Sequence, residues 1–234
     1  MIIAKNISKT YGEKIIIKNF SYSFNKGLYI IRGRSGSGKT TLLNILSKRD
    51  NNYKGEVCVK GGLISFSDKD NIVSKLTVKE HLKIFEKVNE KTIDFVFSLK
   101  EIMNKKINKI SLGERQLLVL VLVLNSDEEN IILDEPLSAL SCENIKKTIK
   151  LLEAISDKKT IIISAHNEEL FNSAKRINLS FKSKNNDVVL FAKERKEKEF
   201  KLKYLSIYFK RILFRKIFFV LSLLFSVTSF FFGE

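Results

Sequence analysis

Tryptophan is absent from this 234-residue chain, proline occurs once, at Pro136, and cysteine is confined to Cys58 and Cys142. The cysteines stand in unrelated contexts without metal-ligand spacing, which excludes a cysteine-based metal site and fits a reduced, cytosolic setting. No internal repeat and no disordered linker breaks the sequence. The chain opens into an alternating, strand-like segment rather than a secretory signal. Its length accommodates one good-sized domain plus a short appendage. Acidic residues are in deficit, and the formal charge is +16. Such an excess has two readings, an anionic partner or a composition rich in Lys, Asn, Ile and Phe.

The position of the charge favours a membrane over nucleic acid. Lys193 to Lys216 holds ten Lys/Arg against three Glu, and Ile217 to Phe232 follows as sixteen residues without a charge. A basic segment against an apolar run is the pattern of a cytoplasmic membrane flank, and anionic headgroups attract the same charges. Sixteen helical residues extend about 24 Å against a hydrocarbon core of about 30 Å, so the run either anchors or marginally spans. A packed helix of the soluble domain is the competing reading, opposed by Ile217–Leu221 and Phe230–Phe232 being apolar all round. The organisation read here is a domain over 1–195, a basic segment over 196–216 and a membrane-anchoring or transmembrane helix over 217–232.

Gly33 to Thr40 reads GRSGSGKT, a full match to the phosphate-binding pattern G-x-x-x-x-G-K-[ST]. It follows the apolar strand Leu28–Ile31 and leads into the helical run Thr41–Leu46, the context the pattern requires. Gly33, Gly36 and Gly38 let the backbone turn its N–H groups inward, and the helix N-terminus adds partial positive charge. Arg34, Ser35 and Ser37 complete the loop. Lys39 is expected to reach the β- and γ-phosphates and the Thr40 hydroxyl to hold Mg²⁺, with Thr41 beside it.

Strands are predicted near 2–7, 14–24, 28–32 and 56–65. Thr77-x-x-Glu80 is a capping box opening a helical stretch over about 77–104, and Ser111-x-x-Glu114 opens a second helix through the apolar run Leu117–Leu124. Ile131–Leu133 and Thr160–Ile163 read as buried parallel strands, with a helix over 141–155 between them. Strands alternating with helices predict an α/β fold with a largely parallel sheet, flanking helices, an N-terminal antiparallel part and a short helical subdomain. Asp134 and Glu135 end the strand Ile131–Leu133, where phosphate-loop enzymes place a metal-holding acid and a group that polarises water.

With these elements in this order the chain resembles the ATP-binding cassette family, the nucleotide-binding domains of ABC transporters, over about residues 1–192. Besides GRSGSGKT, the resemblance rests on Ile110-Ser111-Leu112-Gly113-Glu114-Arg115-Gln116, which is similar to the family signature, and on Asp134-Glu135-Pro136-Leu137-Ser138-Ala139-Leu140. It rests also on His166, in the position of the switch histidine, and on Tyr11, which matches the adenine-stacking aromatic. The resemblance implies a P-loop ATPase in which Glu135 orients water and His166 contacts the γ-phosphate. It implies that Ser111, Gly113 and Glu114 face an ATP held by a second nucleotide-binding domain, and that a transporter membrane domain is the further partner. Asp68 aligns with the metal-contacting glutamine, so the implied metal set is Thr40, Asp134 and Asp68. Leu112 replaces the first signature glycine, Leu117 an arginine, and Ser141 an aspartate. The leading expectation is the ATP-hydrolysing subunit of an exporter, using ATP and Mg²⁺, at the cell membrane with the ATPase domain cytoplasmic and without a nucleic-acid partner. A degenerate cassette with a regulatory role and a soluble, non-transport cassette ATPase stand as alternatives.

Overall fold

Successive residues of the buried strands turn to opposite faces, and this alternation divides the core in two. A computed structural model of the chain describes residues 1–67, 75–165, 171 and 174–178, all within one unit, Met1–Glu194. The elements are β1 (Ile2–Tyr11), β2 (Lys14–Phe24), β3 (Gly27–Arg32), α1 (Lys39–Leu46), β4 (Lys54–Val59), β5 (Leu63–Phe66), α2 (Val78–Asn89), α3 (Leu112–Leu124), β6 (Asn130–Leu133), α4 (Cys142–Ser156), β7 (Thr160–Ser164) and β8 (Lys175–Asn178). One sheet is antiparallel with order β2-β1-β4, and the other is parallel with order β5-β6-β7-β3-β8.

From the parallel sheet, Leu28, Ile30, Ile131, Leu133, Ile161 and Ile163 pack with Leu118 and Val121 of α3 and with Ile149 and Leu152 of α4. Their neighbours Tyr29, Ile31, Ile132 and Ile162 pack on the other side with Leu42, Ile45 and Leu46 of α1 and with Ile7, Ile17 and Phe20 of the antiparallel sheet. Each such side chain stabilises the fold by about 1.5–3 kcal/mol through burial. Strands covered on both faces are apolar through their centres, which is why Ile131–Leu133 of β6 and Ile161–Ile163 of β7 read as runs of Ile and Leu.

Both capping boxes form. The Thr77 N–H donates to Glu80 Oε2 at 2.7 Å and the Glu80 N–H returns to Thr77 Oγ1 at 3.2 Å; the Ser111 pair does the same at 2.6 and 3.2 Å. Two sequence expectations need correction. The strand expected over 56–65 is two strands in different sheets, parted at Gly61, whose φ of +81° turns the chain. The helix expected to reach residue 104 ends at Asn89, because Glu90 takes a left-handed φ of +52° and closes the last turn; beyond it lie β-branched and aromatic residues that favour helix weakly. Strand β8 had no periodic signal in its four residues.

Candidate nucleotide site

The parallel strands point the same way, so their C-terminal ends line one edge of the sheet, where α/β folds place ligands. The register sets Phe66 beside Leu133, Leu133 beside Ile163, and Ile31 beside Ser164. The phosphate loop after β3 and Asp134-Glu135 after β6 therefore share this edge with the end of β7. Asp68 and His166, expected at the same edge, lie outside the described residues.

In the loop, the Ser37 N–H donates to the Arg34 carbonyl at 3.0 Å. Lys39, 6% exposed, donates from Nζ to the carbonyls of Gly33 at 3.0 Å and Arg34 at 3.4 Å. These bonds fold the ammonium back over the loop, poised for phosphate. Gly38 has φ +89°, and a Cβ there would stand 2.8 Å from Ile16 Cγ2, so this position admits only glycine. The first turn of α1 has no side-chain cap and no acid, which leaves its N–H groups for an anion. The Ser37 hydroxyl is buried without a hydrogen-bond partner among the described residues. A buried orphan hydroxyl beside an uncapped helix end fits a triphosphate. Arg34, Ser35, Gly36 and Thr40 are exposed and Gly33 and Thr41 are half-buried, within reach of a ligand from solvent.

At the end of β6, Asp134 Oδ1 accepts the Ser164 hydroxyl at 2.5 Å, and Ser164 Oγ accepts the Glu135 N–H at 2.8 Å. Glu135 has φ +49°. A non-glycine residue held there costs about 1 kcal/mol or more, and such strain gathers at functional sites. The hard oxygens of Thr40 and Asp134 fit Mg²⁺. Among the described residues no three His, Cys, Asp or Glu cluster as a metal cage.

The signature residues sit at the start of α3, tied to the Glu135 loop. Gln116, 6% exposed, donates to Ser138 Oγ at 2.8 Å and to the Glu135 carbonyl at 3.4 Å, and accepts the Ala139 N–H at 3.0 Å. Gly113 allows this approach, since a Cβ there would meet the Ala139 carbonyl at 2.5 Å. The Glu114 carboxyl lies below its usual range because it accepts the Ser111 N–H and hydroxyl, with Lys105 3.3 Å away. Leu112 is 48% exposed and lines, with Asp134, Phe66 and Pro136, a small groove between α3 and the sheet edge. Ser141 accepts the Asn144 N–H at 3.4 Å, so serine keeps the helix cap that an aspartate would give.

Tyr11 ends β1 and is 54% exposed. The ammonium of Lys9, two residues back on the same strand face, lies 4.9 Å from the ring centroid and 2.8 Å from Asp50 Oδ2. The Tyr11 hydroxyl donates to the same Asp50 oxygen at 3.4 Å. Burial pushes the Asp50 carboxyl up, but Lys9, the Asn52 N–H and Tyr11 outweigh it and hold the group below its ordinary value. The ring is thus braced from behind and open in front. Tyr11→Ala is expected to weaken ATP binding about 10-fold, since base–aromatic stacking is worth about 1–3 kcal/mol. Inorganic tripolyphosphate, titrated by calorimetry, should bind both forms alike; equal loss for both ligands would refute stacking.

Sequence reasoning missed Ser164, Lys9 and Asp50, and gave Gln116 only as part of the signature, without its bonds to the Glu135 loop. Two carried a signal: Ser164 is a hydroxyl ending a triple-isoleucine run, and Gln116 a polar residue at the head of an apolar helix. Lys9 and Asp50 meet across the fold from distant segments, and nothing local marks them.

A phosphate loop at a parallel-sheet edge, with acids ending the adjacent strand, defines a P-loop nucleotide-binding fold. The family described as ABC transporter matches residues 17–138, and the chain belongs to that family, carrying its ATP-binding ATPase domain. It is 27% identical over 207 residues to the ribose import ATP-binding protein RbsA of Oceanobacillus iheyensis, an alignment spanning 75% of this chain and 42% of that one. It is 32% identical over 186 residues to the cytochrome c biogenesis ATP-binding export protein CcmA of Reclinomonas americana, spanning 70% and 83%. A dimeric ATP-binding cassette, MJ0796, solved in a post-hydrolysis state with ADP and Pi, shares the fold with a TM-score of 0.71 at 22% identity, over 84% of this chain and 99% of that chain. The chain thus spans under half of the ribose import protein, and its relatives include import and export proteins. Among the described residues no helix is long and apolar enough to cross a membrane.

Proposed function

We infer that this chain is the ATP-hydrolysing part of an ABC exporter, held at the cell membrane with its ATPase domain on the cytoplasmic side. The observation that carries the reading is the convergence of Lys39, the uncapped α1 terminus and the Asp134–Glu135 pair on one sheet edge. Lys39 and the loop N–H groups bind the triphosphate, and Tyr11 receives the base. Glu135 accepts a proton from a water whose oxygen attacks the γ-phosphorus as the bond to ADP breaks. Thr40 and Asp134, with Asp68 as a further candidate, would hold Mg²⁺, which would supply positive charge for the phosphate oxygens. His166 is the candidate contact to the γ-phosphate.

A second cassette, identical or not, completes the site with its own Ser111-type helix end, and closure of the pair drives a transporter membrane domain. The exporter direction rests on segment order, with the cassette first and the apolar run of 217–232 after it. The basic stretch before that run fits a lipid surface rather than nucleic acid. Leu112, standing at a glycine position of the signature, favours a second reading, a cassette that binds ATP in a regulatory role and hydrolyses it weakly.

Fractionation tests the membrane claim. The full chain should sediment with membranes and resist high salt, because about a dozen large apolar side chains gain about 25 cal/mol per Å² in hydrocarbon. Truncation after Glu199 should release a soluble protein that still binds ATP. A full chain that stays a soluble monomer without detergent refutes the anchor.

A further inference from the structure

The two acids at the end of β6 are joined through a single hydroxyl. Ser164, fully buried at the end of β7, accepts the Glu135 N–H and donates to Asp134 Oδ1. The direction of both bonds is fixed by chemistry: an amide can only donate, so the hydroxyl accepts from it and keeps its proton for the carboxylate. One side chain therefore sets the rotamer of Asp134 and the backbone of Glu135 together. Glu135 needs such a restraint, since its φ of +49° is one a non-glycine residue rarely adopts. From the other side its carbonyl receives Gln116, which is itself fixed to Ser138 and Ala139. The register sets Ser164 beside Ile31, so the hydroxyl ties the acids to the strand next to the one that carries the phosphate loop.

We propose that Ser164 is a positioning residue for ATP hydrolysis, holding Asp134 and Glu135 in joint register with the phosphate loop. The proposal rests on Glu135 being the group that activates water. Ser164 itself touches neither water nor nucleotide; it acts through the two acids. Its loss leaves the Glu135 amide and the Asp134 carboxylate without their shared partner, and the left-handed backbone at Glu135 loses the bond to its N–H.

The test uses the full chain, with steady-state hydrolysis and equilibrium ATP binding measured in parallel. Ser164→Ala should lower kcat by about 10–100-fold, the scale on which groups supporting a site's ligands act, with KM and ATP affinity within about twofold. Ser164→Thr, which restores the hydroxyl, should recover most of the rate. In a Glu135→Gln background Ser164→Ala should change residual turnover no further, because residues acting as a unit are not additive. Ser164→Cys, which keeps the volume but offers only a weak donor, reads the same split if the alanine variant does not fold. Parent kcat in Ser164→Ala, or a loss that adds in full to that of Glu135→Gln, overturns the proposal while leaving Glu135 in place. Parent turnover in Glu135→Gln alone overturns the assignment of Glu135, and this proposal with it.

Discussion

Lys39→Ala is expected to abolish Mg²⁺-dependent ATP turnover and to weaken ATP binding by about 10–100-fold. A hydrogen bond to a charged group is worth about 1.5–3 kcal/mol, which sets the binding loss. Removing one preorganised donor from developing transition-state charge costs about 10²–10³ in rate, which sets the larger catalytic one. The buried ammonium is already folded over the loop by the Gly33 and Arg34 carbonyls, so little ordering is left for the moment of binding. Lys39→Arg should not rescue, because a planar fork cannot occupy a pocket shaped for a point charge. Calorimetry and phosphate release decide the matter; unchanged affinity and unchanged turnover would remove the loop from the site.

Glu135→Gln should separate binding from hydrolysis. The amide keeps the size of the carboxylate but cannot take a proton from water, and loss of a general base costs about 10²–10⁴-fold in rate. ATP affinity should persist, since the phosphate loop is untouched. If closure with a second cassette precedes hydrolysis, size-exclusion chromatography of this variant with ATP and Mg²⁺ should show a larger species than with ADP. Turnover at the parent rate would move the role to another acid, with Asp68 next in line.

The parts of the fold written in local sequence were the easiest to read. The phosphate loop announces itself through Gly36, Gly38 and Lys39, whose chemistry has few other uses in a strand–loop–helix context. Both capping boxes are contained within four residues and formed as expected. Buried strands β6 and β7 betray themselves by being apolar without alternation. What stayed hidden depended on tertiary contact. The end of α2 at Glu90 reflects a backbone conformation rather than a helix-breaking residue type, and the division of 56–65 places two neighbouring segments in different sheets. The brace behind Tyr11 joins Lys9 to Asp50 across intervening elements. Ser164 illustrates the limit well: its position was legible as a strand end, yet its role appears only when β7 is set against β6.

The placement of β3 has a consequence for how the protein is made. This strand, which carries the phosphate loop, is flanked by β7 and β8, and both come from the far end of the domain. During synthesis the loop therefore emerges early and waits without its supporting neighbours until residues 160–178 arrive. Long-range parallel pairing of this kind is slow, because chain closure must come before the contacts that reward it. Until then the apolar faces of β3 and α1 are exposed to association with other chains. Nucleotide capture is thus one of the last properties the nascent domain acquires, and ATP binding doubles as a report that folding has run to its end.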